Sequence, residues 1–358
     1  MNGPGVPRDF VDAVRKRPGM YVGDVGVYGL HHLVYFLLDA VFLDERRGEC
    51  GGFELEVDAE GGLSLVAGGN VVPPEGMLEE AEGALFFRQP KTHGWAWANS
   101  LPVSLALSSR YQLDVWDQGR QWRLMGEQGR PRGGVSEVTP VEPVSVQGPR
   151  VLRVRLVPDA TVLEVTTFDS ERLSRRCREL TYLAPGLRAR FIDHRTGEDS
   201  RLYYPGGITE RLREMTADVP RRHAEPLSFD VSWETLRVRC ALQWCEEGEG
   251  VWSYANTVWT RKQGVHVDGV FLALRGALAQ LTGERVQDFL RSRLSRGLWA
   301  LVAVDGPDER MAFKGPTKDL LAIEGLREAV QARLQPLLVE ALREHPLRSW
   351  LVEQGLVL

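Results

Sequence analysis

Lysine is scarce in this chain: five of its 44 basic residues are lysine and the rest arginine. The bias reads as a high-GC coding habit and carries no functional weight. Cysteine is as rare. Cys50, Cys177, Cys240 and Cys245 form no CxxC pair and have no histidine at ligand spacing, which excludes a disulfide framework and a structural zinc site and fits free thiols in a reducing compartment. No apolar run reaches the roughly 18 residues a membrane-spanning helix needs. The start MNGPGVPRDF lacks the charged segment and apolar stretch of a signal peptide, so a cytoplasmic protein without membrane contact is expected. Excess charge is small, -5 over 358 residues, so any contact with DNA has to come from a local patch. Internal repeats and low-complexity tracts are missing too.

What is present is globular. Hydrophobic residues make up 43% and charged residues 26%, near the soluble average, and the length suits two domains, each with its own core. From Gly29 to Arg47, GLHHLVYFLLDAVFLDERR is apolar on nearly every side in its middle, the pattern of a buried helix. FELEVD and LSLVA read as two short strands joined by a tight turn at 59–62. Tyr111 to Leu124 reads as a hairpin around Asp117 to Arg120, and VLRVRLV as a further strand. An arginine-rich helix over Ser170 to Leu183 precedes a strand at Leu187 to Ile192. Thr216 to Pro226, with two prolines and few apolar residues, is the candidate linker. Beyond it, LRVRCALQW and VWSYANTVW read as strands, FLALRGALAQL as a helix and LWALVAVD as a buried strand, an order implying a right-handed crossover. Thr317 to His345 reads as a long helix that Pro336 kinks or splits. The class is α+β, mostly antiparallel sheet with helices on one side.

Three blocks carry more than fold class: VRKRPGMYVGD (Val14 to Asp24) followed by GLHHLV, then GVHVDGV, then TKDLL at Thr317 to Leu321. With LTYLAPGLRARFIDHRTGE, YYPGGI and CALQWC, they make nearly the whole chain resemble the N-terminal half of the bacterial gyrase B and topoisomerase IV ParE family. The resemblance implies a GHKL (Bergerat-type) ATPase-like α/β sandwich over residues 1–218 and a ribosomal S5-like transducer domain over 219–358.

ATP hydrolysis in such a site requires a carboxylate to activate water and, one helical turn later, an amide to hold Mg²⁺. An i, i+4 spacing puts both on one helix face. In the resembled family these are Glu and Asn; here the positions hold Phe36 and Ala40, which have neither a proton-accepting atom nor an oxygen ligand. Asp39 points about 100° away from Ala40 around the helix. The family's adenine-binding aspartate falls on Ala67, its first glycine on Gly69 and its second on Val71, so the adenine acceptor is lost and close backbone approach half lost. A threonine near the adenine appears as Pro149. In place of a glycine-rich phosphate lid stands KTHGWAWANSLP, Lys91 to Pro102, with Gly94 alone remaining. Trp95 and Trp97 read either as a stacking platform for bases or, the favoured reading, as aromatics filling a vacated pocket. Lys318 matches the family lysine that reaches the terminal phosphate, beside Pro316 in place of glutamine. It reads as a vestigial phosphate sensor or, the favoured reading, as a residue kept at a helix start.

ATP and Mg²⁺, the cofactors the resemblance implies, are thus not expected to bind, and no metal ligand set is recognised. Arg172, Arg175, Arg176 and Arg178 form a basic cluster, with Arg188 and Arg190 nearby. The cluster is a candidate DNA contact or simply a solvated helix face diluted by Glu171 and Glu179. His31 and His32 belong to the helix start and are no metal pair. No acidic metal-binding segment follows the transducer, so strand breakage by this chain is not expected, and the 13 residues before Val14 are shorter than the family's dimer-embracing arm. Three functions follow. The first is a non-hydrolysing, gyrase-B-like scaffold that binds itself or a gyrase or topoisomerase IV subunit. The others are a topoisomerase-family ATPase with an atypical nucleotide site, and a DNA-binding clamp.

Overall fold

The computed structural model describes residues 10–83, 95–140, 146, 148–315 and 318–356, with backbone alone for Trp95, Ala96 and Asn99. Two compact units divide between Tyr204 and Pro205. This places Gly207–Met215 in the second unit, whereas the sequence puts the boundary at 218.

In the first unit, short helices α1 (Phe10–Lys16) and α2 (Gly19–Val22) lead into α3 (Val27–Arg46). The block before α3 has a plain structural task. Asp24 Oδ1 accepts the Gly26 and Gly29 backbone N–H groups (2.9 and 2.8 Å), capping α3. A Cβ on Gly29 would come 1.9 Å from the Asp24 carbonyl, so only glycine lets the cap close. α3 is long and apolar enough to cross a membrane, unlike the expectation from runs alone, yet 61% of its most apolar stretch is buried inside the protein. It is a core helix.

Next come β1 (Gly52–Val57), β2 (Leu63–Gly69), α4 (Met77–Ala81), α5 (Trp95–Ala106), β3 (Ser108–Asp117), β4 (Arg120–Glu127), β5 (Arg130–Val138) and β6 (Arg150–Pro158), then α6 (Ser170–Leu183), β7 (Arg188–Asp193) and β8 (Glu198–Leu202). The eight strands form one sheet in the order β5-β4-β3-β6-β2-β1-β7-β8. β1 and β7 pair in parallel and the other neighbours are antiparallel. The expected hairpin is there, with Asp117 opposite Arg120. Strand β5 was not legible: its RPRGGVSEV pattern is polar and carries two glycines, because it is an exposed edge that buries almost nothing.

The second unit begins with α7 (Gly207–Met215), followed by β9 (Leu227–Trp233), β10 (Leu236–Trp244), β11 (Gly250–Ala255) and β12 (Val258–Trp259). It continues with α8 (Val265–Thr282), the short α9 (Arg291–Leu294), β13 (Leu298–Asp305), α10 (Leu326–Leu342) and α11 (Leu347–Gly355). Its sheet has the order β12-β11-β13-β10-β9. β11 and β13 pair in parallel, which is the crossover through α8 that the sequence implied. Trp244, Phe271, Leu278, Phe289, Val302 and Leu338 lie in one core between sheet and helices.

Two expectations need correction. The last long helix starts at Leu326 rather than Thr317 and runs unbroken through Pro336 to Leu342; Thr317 lies outside the described residues. VWSYANTVW is not one strand but two, because Asn256 has a left-handed φ of 51° and reverses the chain.

Candidate functional site

On α3 the side chains separate into two stripes. Ala40 is buried, 1% exposed, while His32, Tyr35, Phe36 and Asp39 form a half-buried stripe one turn apart. Phe36 packs edge-on against His32, with ring centres 5.3 Å apart. Burial, then the nearby Arg176 charge, lowers the His32 pKa to about 4, so the ring is neutral at pH 7. Phe36 is therefore not the fully packed core residue its sequence environment suggests. Still, neither it nor Ala40 offers an atom that could take a proton from water or bind a metal. Asp39 is engaged elsewhere: its Oδ1 accepts from Arg176 at 2.7 Å.

That contact separates Arg176 from the proposed basic cluster. Its side chain is buried between Asp39 and Glu179 and lies over the Tyr35 ring. Burial opposes the charge, but the two carboxylates hold its pKa above the ordinary value. A guanidinium committed in this way cannot bridge to a DNA phosphate. Arg172 and Arg175 remain exposed and Arg178 half-exposed. Arg172 pairs with Asp169, and Arg190 is held by Asp199 and Glu54. His31 is structural, with Nδ1 against the Val27 carbonyl (2.6 Å) and Nε2 accepting from the Asp169 N–H (3.0 Å).

At the end of β2, Ala67 and Val71 are both buried, each 1% exposed. Gly69 has a φ of 156°, and a Cβ there would lie 2.3 Å from Asp44 Oδ2. The close approach this glycine permits is thus made by the chain's own Asp44. From the other side Gly148 abuts the backbone of Gly68 and Gly69, its Cβ position 2.8 Å from each.

The sequence does not single out Asp44. It is fully buried. Its Oδ2 accepts the Trp97 indole N–H at 2.8 Å and the Asn70 backbone N–H at 3.1 Å, and Arg47 stands 3.6 Å from Oδ1. Burial raises its pKa and the Trp97 hydrogen bond opposes the rise. Trp97 is 1% exposed, in line with an aromatic that fills a vacated space rather than an open stacking platform. The Trp95 side chain, Lys91 to Gly94 and Pro316 lie outside the described residues. α5 is further tied to α3 by Ser104, whose hydroxyl donates to the Leu33 carbonyl at 2.8 Å.

Lys318 is not at a helix start. It sits in a loop with a left-handed φ of 54°, its ammonium 5.7 Å from the Phe313 ring centre, and the next helix begins at Leu326. Among the described residues no group of three or more His, Cys, Asp or Glu side chains could hold a metal ion. The residues present around Phe36, Ala40, Ala67 and Gly69 do not fit Mg²⁺ and ATP bound in the way the resemblance implies.

Comparison with known proteins places this geometry in a lineage. A sequence profile of the family described as DNA gyrase B matches residues 207–352. The DNA gyrase B protein of Synechocystis is 30% identical over 94% of this chain, which spans 33% of that protein's length. The crystal structure of the B-subunit of the DNA gyrase from Myxococcus xanthus superposes with a TM-score of 0.91 at 53% identity, over 96% of this chain and 99% of that one. The 43K ATPase domain of Thermus thermophilus gyrase B, solved with an aminocoumarin, shares the fold at a TM-score of 0.78 and 23% identity, over 96% of this chain and 93% of that one. The architecture is the GHKL-type sandwich followed by an S5-like domain, and the chain belongs to the DNA gyrase B family.

Proposed function

We propose that this chain is a gyrase-B-type module that works in a type II topoisomerase setting by association, without hydrolysing ATP. Residues 1–218 correspond in this reading to the ATPase-like part and 219–358 to the transducer. The partner is a second copy or a B-type chain of gyrase or topoisomerase IV. The observation that carries the reading is that Phe36, half-buried against His32, and the buried Ala40 stand at the two positions of α3 where, by the resemblance, water activation and metal binding each need a polar atom. Phosphate release in the presence of Mg²⁺ and ATP tests it. No turnover above background is expected, and turnover lost on Lys318→Ala would overturn it. Association is tested by measuring mass in solution, alone and with the cognate gyrase B protein. A complex formed without nucleotide supports the reading, and a monomer in every mixture that leaves supercoiling unchanged refutes it.

A second reading is a topoisomerase-family ATPase with an atypical or weak nucleotide site. Family membership favours it, as does Lys318, which is retained and exposed. Calorimetric binding of ATP by the intact chain, followed by slow release of phosphate, would put this reading first. A DNA clamp built on Arg172, Arg175 and Arg178 has less support, since Arg176 is withdrawn from it.

A further inference from the structure

We propose that β9 is an assembly edge: through it the chain pairs with a second copy of itself, β9 against β9 in antiparallel, joining two five-stranded sheets into one. The proposal rests on the association reading above and gives it a surface.

A sheet edge is a row of unused backbone donors and acceptors, and edges that stay unpaired are kept short, charged, or broken by proline and glycine. The two sheets end in β5, β8, β12 and β9. β5 carries Pro131, Gly133 and Gly134 among Arg130, Arg132 and Glu137. β8 has five residues, among them Glu198, Asp199 and Arg201, and β12 has two. β9 is unguarded by comparison. Its seven residues, LSFDVSW, include no proline, glycine or lysine and a single charge, Asp230. Among the described residues its backbone makes no hydrogen bond beyond the pairing with β10. Ser228, Asp230 and Ser232 are exposed, while Phe229, Val231 and Trp233 are half-buried against the core, which leaves apolar surface along the edge for a further strand to cover.

The strand is complementary to itself. With Val231 on a two-fold axis, Phe229 falls opposite Trp233 of the second copy and Asp230 opposite its Ser232, so apolar side chains meet on one face and polar ones on the other. Charge selects this register. Ser232 is paired with Arg237 of β10, so the incoming Asp230 enters a row that ends, past one small side chain, in a guanidinium. That guanidinium already holds Asp230 of its own copy, Nε donating at 2.9 Å. An axis through Asp230 would instead set two aspartates face to face. A contact that uses the same edge on both copies closes on itself and stops at a dimer.

Sedimentation of the intact chain without nucleotide, over a range of concentrations, tests this. The parent should dimerise, and Ser232→Asp should raise the dissociation constant about tenfold or more, because like charges then stand opposite each other on paired strands. Adding Asp230→Ser to Ser232→Asp restores one acid and one serine in each row and should recover the dimer. Val231→Cys places a thiol on the axis, and mild oxidation should link two copies there, since the four native cysteines are buried. The cross-link decides the matter where Ser232→Asp does not melt like the parent. A dimer that Ser232→Asp leaves unchanged, or that Val231→Cys does not cross-link, forms through another surface and overturns this proposal alone. A chain that is a monomer by itself and pairs only with the cognate gyrase B protein does the same. A monomer in every mixture overturns the association reading and this proposal together.

Discussion

At the scale of single residues, Phe36 and Ala40 stand on α3 where the resemblance expects a proton acceptor and an oxygen ligand. Restoring the expected pair, Phe36→Glu with Ala40→Asn, should not restore phosphate release, since Asp44 and Gly148 occupy the ground next to Gly69. Most of the cost should come from Ala40→Asn, about 1–3 kcal/mol for a larger, polar side chain in packed space. Phe36→Glu alone should cost less because that position is half-buried; a thermal melt separates the two, and turnover in the double variant would contradict the argument. A second residue sets a pH dependence. Glu80 is fully buried, and burial raises its pKa to about 8. An acid whose folded pKa lies above its unfolded value binds more protons when folded, so its contribution to stability is full below about pH 4.5 and declines up to about pH 8. Melting temperature should therefore fall across that window, and Glu80→Gln should flatten the slope. An unchanged slope would show that Glu80 is ionised in the fold.

At the scale of elements, the packing of α10 on α8 explains why a proline fails to break a helix. A Cβ on Gly269 would lie 2.7 Å from the Arg327 carbonyl, and one on Gly276 would lie 2.2 Å from Gln335 Oε1. Two helices this close hold α10 in place along its length, so tertiary contact overrides local preference. Pro336 is exposed, and Pro336→Ala should stabilise the unit by about 1–3 kcal/mol through the regained helix hydrogen bond. Gly269→Ala should cost about 1–3 kcal/mol because the obstacle is backbone. Chemical denaturation of both variants checks the opposite signs. The same logic explains GVHVDGV and TKDLL as a pair: Gly264 has a φ of 142°, and a Cβ there would strike the Leu321 carbonyl at 2.3 Å. In these two motifs Gly264 and Leu321 are where two backbones touch.

At the scale of the whole molecule, each unit has its own sheet and core. A fragment from Pro205 to Leu358 should accordingly fold alone and melt cooperatively, observed by circular dichroism and calorimetry. A fragment that shows no cooperative transition would mean that its core is completed by the rest of the chain.

The sequence by itself determined the family, the α+β class and nearly every central element, because β10 and β13 are buried along almost their whole length and α3 along much of its length, which leaves strong apolar runs. It showed also that Phe36, Ala40, Ala67 and Val71 stand where the resemblance expects other groups. It did not disclose strand β5, whose exposed edge leaves no apolar alternation, nor the true start of α10. Tertiary structure alone decided what lies beside Gly69. Asp44 and Trp97 are 53 residues apart in the chain, and nothing local marks either, because a buried carboxylate and its donor are recognised only when folding brings them within hydrogen-bonding distance and removes water from both. Arg176 makes the same point in reverse: on its own helix it belongs to a basic face, and only packing against Asp39 and Glu179 takes its charge out of that face.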